Sequence, residues 1–384
     1  MKKSVSTTTS SVDRRSFMKN GLLAGGAATV GVGLLAKTTS AQERGRLNPG
    51  DAAILRFLAA AELIESDLWT QYAELGGIGN DPPIEVDPNE SLNPYQSALS
   101  NLDTDGPQYI TSNTLDEVSH ANFLNAYLQS RGAEPVNFNQ FETLQGSTAT
   151  GSSGKLRLTN LMHLNVDTSW FVRYRSTTNP DLGATFPQAI TLSGVTAIPR
   201  TNKDFIGTAN SNFSVPGSND HIQAIANTAA FHFGMIEAGG SSLYAAMSQK
   251  VSDPEVLQIT LGIGGDEIAH FLEWVDFAGN GVQQTVAPFT DPISGLTFRD
   301  FFNNPPLQPP SLVQPSLIFP VACEFIDSSL PKVAIIRPLT DKFAGATASV
   351  AALTADGLFT GQSRQFLATL AQLAYEADAA VRYA

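Results

Sequence analysis

Two copies of a Glu-x-x-His motif constrain this chain more than any other feature of its sequence. Glu117 and His120 form one copy, and Glu267 and His270 form the other. With 15 glutamates and 5 histidines in 384 residues, chance predicts about 0.2 such pairs. Residues three apart on a helix share one face, so the two side chains of each pair can reach the same interior point. Both pairs therefore indicate helices whose polar side chains converge on a common site.

Apolar residues that recur at steps of three and four positions predict four long helices. Their expected ranges are 51–75, 114–131, 220–249 and 254–279. Asp51 is the expected cap of the first helix, and Pro254 is the expected first residue of the fourth. The second and fourth helices carry the Glu-x-x-His pairs. The first and third each carry a glutamate among apolar neighbours, Glu62 and Glu237.

The other segments lack a sustained helical period. Residues 76–111 are rich in Pro, Asn and Asp and are expected to form a long loop. Residues 133–219, called the excursion below, are expected to be ordered, with short strands or turns, because aromatic residues are still present. Residues 280–345 hold many prolines and are expected to be irregular. A last helix, which starts near Ala346 or near Gln362, should close the chain at Tyr383.

Glutamates on core-facing helical positions need compensation, because a charged carboxylate is costly to bury without a partner. Two divalent cations would supply that compensation, and each imidazole adds one neutral ligand. Carboxylate with imidazole favours Fe or Mn, with Zn possible. The predicted metal ligands are Glu62, Glu117, His120, Glu237, Glu267 and His270. Glu65 can also face inward and is the alternative to Glu62, which we prefer because its surroundings are more apolar.

Two aromatic residues follow predicted ligands by seven positions and therefore lie on the same helix faces, two turns further on. They are Trp69, after Glu62, and Tyr244, after Glu237. Core packing is the simpler interpretation of both. The alternative is that they shield the metals or take part in redox chemistry beside them.

The other three histidines are not predicted to be ligands. His232 lies five residues before Glu237, so it faces a different side of its helix. His221 stands at a helix start and is expected to be exposed. His163 lies in the excursion, where it is expected to be a surface residue or to support the ligands from outside.

The ordered set Glu, Glu-x-x-His, Glu, Glu-x-x-His resembles the ligand pattern of ferritin-like di-iron and di-manganese bundles. The stretch from Ile54 to Leu75 resembles the first helix of the ferritin-like domain in twin-arginine-exported bacterial proteins and in desiccation-related proteins. The stretch from Ser252 to His270 is similar to the junction between the third and fourth helices of ferritins. The resemblance covers about residues 48–132 and 220–280.

The resemblance implies an all-α fold with a ferritin-like four-helix bundle over residues 48–280. The excursion would separate the second helix from the third, and residues 281–384 would form a C-terminal extension that packs on the bundle and ends in a helix. By the same resemblance, the six ligands bind two Fe or Mn ions, which Glu117 and Glu267 bridge. The long excursion and extension argue against a closed ferritin cage, and the single cysteine, Cys323, excludes a rubredoxin-type iron centre.

The activity implied by the resemblance is oxidation of Fe(II) by oxygen or peroxide, or removal of peroxide. Such a protein would be a di-iron or di-manganese oxidoreductase whose partner is a small oxidant. The alternative is a non-catalytic stress protein of the desiccation-related type, or an envelope protein, that keeps the bundle. A weaker alternative is a binding protein that uses the excursion as its recognition surface. A homo-oligomer is compatible with each of these functions.

The N-terminal segment has the pattern of an export signal. Arg14 and Arg15 precede a weakly apolar run rich in Gly and Ala, which is typical of a twin-arginine signal. We expect residues 1–41 to be removed before Gln42, which would leave no stable membrane span and place the protein in the periplasm or outside the cell. An uncleaved N-terminal anchor is the alternative.

The charge and the cysteine content of the chain exclude some classes of function and of metal site. The formal net charge is −13 and no basic block is present, which argues against a nucleic-acid-binding protein. Because Cys323 is the only cysteine, the chain can form no internal disulfide and no Cys-x-x-Cys metal site. Cys323 is expected to be a small buried side chain.

Overall fold

The computed structural model describes most of the chain after residue 44. The described residues are 45–78, 92–173, 190–205, 221–283, 286–301, 320, 327, 329–334 and 344–383. The predicted export signal and Cys323 lie outside them. All elements named below belong to one compact unit, residues 46–384.

Helices dominate the described residues, which confirms the all-α class. They are α1 (Pro49–Gly76), α2 (Pro94–Ser100), α3 (Gly106–Ser130), α4 (Trp170–Arg173), α5 (His221–Ser248), α6 (Pro254–Asn280), α7 (Ala346–Asp356) and α8 (Arg364–Asp378). The long helices pack most extensively as two pairs, α1 with α3 and α5 with α6, and α3 also contacts α6. Helix α8 packs on α1 and on α7. None of the described helices is long and apolar enough to cross a membrane.

The start of α1 is capped by Asn48 rather than by Asp51, so the prediction of Asp51 as the cap was wrong. The Asn48 side chain accepts a hydrogen bond from the Asp51 amide at 2.9 Å, and Pro49 occupies the first turn. The buried Asp51 carboxylate instead accepts hydrogen bonds from the backbone amides of Ser252 and Asp253, both at 2.9 Å. Asp51 therefore ties the start of α1 to the turn between α5 and α6.

A long loop was expected over residues 76–111, and this prediction is wrong for the second half of that range. Helix α2 and the first six residues of α3 lie there. Asn93 and Gln96 form a reciprocal capping box at the start of α2, and Pro94 follows the cap. Gly106 is the first residue of α3, and the position suits glycine because a Cβ there would lie 2.4 Å from the Phe277 ring. The Pro and Gly residues that indicated a loop are thus helix-start residues and a point of close packing.

The described parts of the excursion contain short strands and turns, as expected. The antiparallel pairs are β1 (Leu144–Gln145) with β2 (Leu156–Arg157) and β3 (Leu164–Val166) with β4 (Leu192–Val195), and 3-10 turns lie at Asn139–Phe141 and Asn202–Phe205. Trp170 anchors the excursion on α5. Its indole N–H donates to the Phe231 carbonyl at 3.0 Å, and its ring lies where a Cβ of Gly234 would be.

The C-terminal region ends in two helices rather than one. Gly357 and Gly361, with φ of +90° and +93°, separate α7 from α8. Both predicted starts are therefore helix starts to within two residues, whereas the helical part ends at Asp378 and not at Tyr383.

A third hairpin, β5 (Phe289–Thr290) with β6 (Thr297–Phe298), precedes this region. Asp378 accepts hydrogen bonds from the amides at the start of α7, at 3.0 and 2.8 Å.

Candidate metal centre

The structure brings all six predicted ligands together in the interior. Each long helix contributes at least one of them: Glu62 on α1, Glu117 and His120 on α3, Glu237 on α5, and Glu267 and His270 on α6. These six residues are called the Glu/His cluster below. Its four carboxylates are at most 1% exposed, and the two histidines are 8% and 5% exposed.

Two overlapping groups within the cluster could each hold a metal ion. Glu62, Glu117, His120 and Glu267 offer four ligand atoms that all lie within 4.8 Å of one another. Glu117, Glu237 and His270 form the second such group. Glu117 belongs to both groups and therefore lies between the two candidate metal positions.

Both histidines direct Nδ1 towards these carboxylates. His120 Nδ1 lies 3.4 Å from an oxygen of Glu62 and 3.4 Å from one of Glu117. His270 Nδ1 lies 3.1 Å from Glu117 and 3.4 Å from Glu237. The carboxylates and imidazoles thus present their ligand atoms to the same small volume.

Several buried carboxylate oxygens receive no hydrogen bond. Both side-chain oxygens of Glu237 and both of Glu267 lack a hydrogen-bond partner among the described residues. Leaving a buried acceptor unsatisfied costs about 1–3 kcal/mol, and more when the group is charged. Native proteins rarely accept this cost several times in one place. A bound cation would satisfy these oxygens, so the donor set fits a metal.

Burial raises the pKa of most carboxyl groups in the cluster. For Glu62 burial, with a contribution from nearby Glu117, raises the pKa to about 8. The pKa values of Glu237 and Glu267 are also raised, chiefly by burial. Glu117 is the exception: burial raises its pKa, but hydrogen bonds with His120 and His270 outweigh burial and lower it to about 2. Without metal, the cluster is therefore neutralised by protons, which divalent cations can replace.

Each imidazole of the cluster contacts an aspartate outside the cluster through Nε2, the ring nitrogen that does not face the carboxylates. Asp266 lies 3.2 Å from His120 Nε2, and Asp116 lies 3.4 Å from His270 Nε2. Burial lowers the pKa of His120, but Asp266, Glu117 and Glu62 together raise it to about 12. A carboxylate on one ring nitrogen fixes the imidazole so that the other nitrogen can bind metal.

The shorter contacts are crossed, because each aspartate precedes the glutamate of one motif and contacts the histidine of the other; Asp266 also lies 3.8 Å from His270 in its own motif. Both copies read Asp-Glu-x-x-His, a signal that was present in the sequence and was missed. Asp116, Asp266 and His270 also offer ligand atoms within 4.8 Å of one another. Since both aspartate side chains are more than 40% exposed, we interpret them as supports for the histidines.

Glu65, the alternative ligand, lies beside the cluster and in neither metal-binding group. It is 8% exposed, and one of its oxygens has no hydrogen-bond partner among the described residues. Burial raises its pKa well above the usual value, and the charges of Glu117 and Glu62 raise it further. Glu62, rather than Glu65, offers an atom to the first group.

The two aromatic residues beside the predicted ligands have different surroundings. The Tyr244 hydroxyl donates a hydrogen bond to Glu62, so Tyr244 directly contacts a predicted ligand. Trp69 packs in the core instead. Its ring stacks on Phe233 at 4.8 Å and on Trp274 at 5.4 Å between centroids.

Gly240 allows α5 to pass close to Glu267. A Cβ at this position would lie 2.0 Å from a carboxylate oxygen of Glu267, and real Cβ atoms do not come so close. The position therefore accepts only glycine while Glu267 keeps its place. The sequence shows Gly240 three residues after Glu237 but gives no sign of this contact.

The other histidines lie outside the cluster. His232 is fully buried, with Nδ1 2.6 Å from the Tyr72 hydroxyl and Nε2 3.1 Å from Asp356. His221 was expected to be exposed, and this is wrong: it is 5% exposed and lies 3.0 Å from Asp291. Asp291 lies in the turn between β5 and β6. Its contact with His221 places this hairpin against the first turn of α5. His163 is exposed.

Comparisons with known proteins found no matching family model, no matching curated protein and no matching solved structure. The geometry of the Glu/His cluster therefore carries the functional interpretation. The ferritin-like resemblance stays a prediction from sequence motifs.

Proposed function

We propose that this chain is an exported, ferritin-like metal-binding protein that holds two Fe or Mn ions and uses them to oxidise Fe(II) or to reduce oxygen or peroxide. The six residues of the Glu/His cluster would bind the metals. Glu117 belongs to both groups of ligand atoms, so it would help to hold both metals. Export is proposed from the paired arginines in residues 1–41.

The observation that carries this proposal is the set of buried, unsatisfied oxygens on Glu237 and Glu267. These oxygens lie among ligand atoms that are less than 4.8 Å apart, with two imidazole nitrogens nearby. Carboxylate and imidazole ligands without thiolates suit Fe and Mn. Without a cation, the buried oxygens of Glu237 and Glu267 would stay without a hydrogen-bond partner among the described residues.

The metals would supply electron exchange with oxygen or peroxide when bound. The chain's own residues would orient the side chains that bind the metals. Asp266 and Asp116 hold His120 and His270 in orientation. Tyr244 donates its hydroxyl proton in a hydrogen bond to Glu62, and burial raises the pKa of Tyr244 well above 10, which keeps the hydroxyl a donor.

Metal content is the first test of the proposal. Protein purified from its native compartment should contain about two Fe or Mn ions per chain by elemental analysis. Glu237→Gln and Glu267→Gln should each lose metal, because an amide is a poor ligand for these cations. Asp276→Asn removes an exposed carboxylate from the same helix, α6, and should keep the metal.

Turnover separates an enzyme from a protein in which the metal is structural. The metal-loaded protein should oxidise added Fe(II) or consume peroxide, and the Glu267→Gln variant should not. Bound metal without any turnover would refute the enzymatic part and would favour a non-catalytic stress or envelope protein. Absence of Fe and Mn from the unsubstituted protein would refute the proposal as a whole.

A further inference from the structure

An apolar pocket lies among helices α1, α5, α7 and α8. Its cavity volume is about 20 Å³, which is room for a single small molecule. Its walls are almost entirely hydrophobic, with Phe57 and Ile64 from α1, Met235 and Leu243 from α5, and Leu353 from α7. Ser349 and Glu65 are the lining residues with polar side chains.

Two of the residues that line the pocket, Glu65 and Gly240, adjoin the Glu/His cluster. Glu65 has a buried oxygen without a hydrogen-bond partner among the described residues. The position of a Gly240 Cβ would be 2.0 Å from Glu267. Because Gly240 has no side chain, the Glu267 carboxylate packs directly against the α5 backbone at a residue that lines the pocket.

The outer end of the pocket is built by the C-terminal helices. Val350 and Leu353 of α7 line it and are partly exposed, and Leu370 of α8 completes it. Both helices lie in residues 281–384, which the ferritin-like resemblance does not cover. The C-terminal extension therefore supplies part of the pocket wall.

The polar approach to the cluster lies on other helices. Asp116 on α3 and Asp266 on α6 are both more than 40% exposed and contact the ligand histidines. Exposed carboxylates attract cations and can exchange protons with water, whereas hydrophobic side chains do neither. Half-exposed carboxylates therefore border the cluster at α3 and α6, whereas the pocket beside α1 and α5 is lined mostly by hydrocarbon.

We propose that the apolar pocket admits dioxygen to the metal centre. This inference rests on the proposed function. Dioxygen is small and apolar, so it loses nothing on entering a hydrocarbon-lined space. Peroxide would give up hydrogen bonds to water that the pocket cannot replace. The pocket therefore selects dioxygen over peroxide as the oxidant that arrives by this route.

Xenon binding tests the pocket without any turnover. Xenon occupies apolar cavities, so metal-free crystals under xenon pressure should show it beside Leu243 and Leu353. Val350→Trp should abolish this xenon site by filling the outer end. Ala351→Trp places the same bulk at an exposed position of α7 that does not line the pocket, and should leave xenon bound. No xenon in the unsubstituted protein would overturn the inference.

Oxidation rates test the route. In the metal-loaded protein, Val350→Trp should slow the reaction with dioxygen about tenfold or more and leave the reaction with peroxide unchanged. Ala351→Trp should leave both rates unchanged. Equal slowing with the two oxidants, or no slowing with either, would overturn the inference alone. Absence of turnover in the metal-loaded unsubstituted protein would instead overturn the proposed function, and the dioxygen route with it.

Discussion

At the residue scale, the spacing of Glu and His was enough to find the six members of the cluster. Two glutamates and two Glu-x-x-His pairs on helices can reach one point, and the structure brings them to one point. The supporting Asp116 and Asp266 were missed, because an exposed aspartate beside a glutamate is common on helix surfaces. The burial of His221 depends on Asp291, which lies 70 residues away, so local sequence could not reveal it.

The crossed aspartates should matter for metal affinity. Asp116→Asn and Asp266→Asn should each weaken metal binding about 10- to 100-fold, because a carboxylate that orients a ligand histidine also raises its basicity. Titration of the metal-free protein with Fe(II) or Mn(II), followed by calorimetry, measures the change. Asp276→Asn is the matched control on α6, and its affinity should equal that of the unsubstituted protein. Unchanged affinity in both aspartate variants would contradict the assigned role.

Gly240 should not tolerate a side chain. In Gly240→Ala the new methyl group would displace the Glu267 carboxylate, so we expect loss of metal and a free energy of unfolding lower by about 1–3 kcal/mol. Gly265→Ala is the matched control, since a Cβ there meets nothing within 4 Å. Alanine favours a helix over glycine by up to about 1 kcal/mol, so the control should be as stable or more stable. Metal content and urea unfolding measure both effects.

At the element scale, the four long helices were predicted well where apolar periodicity was sustained. The third and fourth predicted helices match α5 and α6 to within one residue at each end. The errors occur at proline and glycine residues, which are common both in loops and at helix starts. In α2 and at the start of α3 they occupy helix starts, and such positions resemble loops in the sequence. Caps provided by Asn48 and Asn93 depend on local geometry that composition does not show.

The Asp51 carboxylate should hold the start of α1 to the α5–α6 turn. Asp51→Ala leaves the buried amides of Ser252 and Asp253 without their acceptor, so the free energy of unfolding should fall by about 2–4 kcal/mol. Asp105→Ala is the control: Asp105 stands at the start of α3, is exposed and makes no capping hydrogen bond. Its change should stay within about 0.5 kcal/mol. Equal effects in the two variants would contradict the assigned contact.

At the scale of the whole molecule, the all-α class followed from the sequence, whereas the packing of the C-terminal helices did not. Helix α7 meets α5 through Asp356 and His232, and His232 also contacts Tyr72 on α1. These contacts join residues more than a hundred positions apart and carry no local pattern. The apolar pocket depends on the same packing, so sequence reasoning could find the carboxylates but not the route to them.

The pKa shifts in the cluster predict how stability depends on pH. Burial raises the folded pKa of Glu62 from 4.5 to about 8, so its contribution to stability is complete below pH 4.5 and is lost as the pH rises through 8. Glu237 and Glu267 shift in the same direction. The pKa of Glu117 is lowered to about 2, so its contribution is lost only as the pH falls through that value.

Metal-free protein should therefore melt at a lower temperature at pH 8 than at pH 5. Metal-loaded protein should show a smaller difference, because cations replace the protons. Thermal melting at both pH values, with metal bound or with a chelator present, measures this. A metal-free protein that becomes more stable between pH 5 and pH 8 would contradict the assigned burial of the carboxyl groups.

Anomalous X-ray diffraction from crystals of the Fe-loaded or Mn-loaded protein tests the central claim most directly. The account predicts two anomalous peaks. One should lie among Glu62, Glu117 and His120, and the other among Glu117, Glu237 and His270. Data from Glu237→Gln crystals should weaken the second peak. Peaks confined to surface carboxylates, or a cluster without any anomalous signal in metal-soaked crystals, would contradict the account.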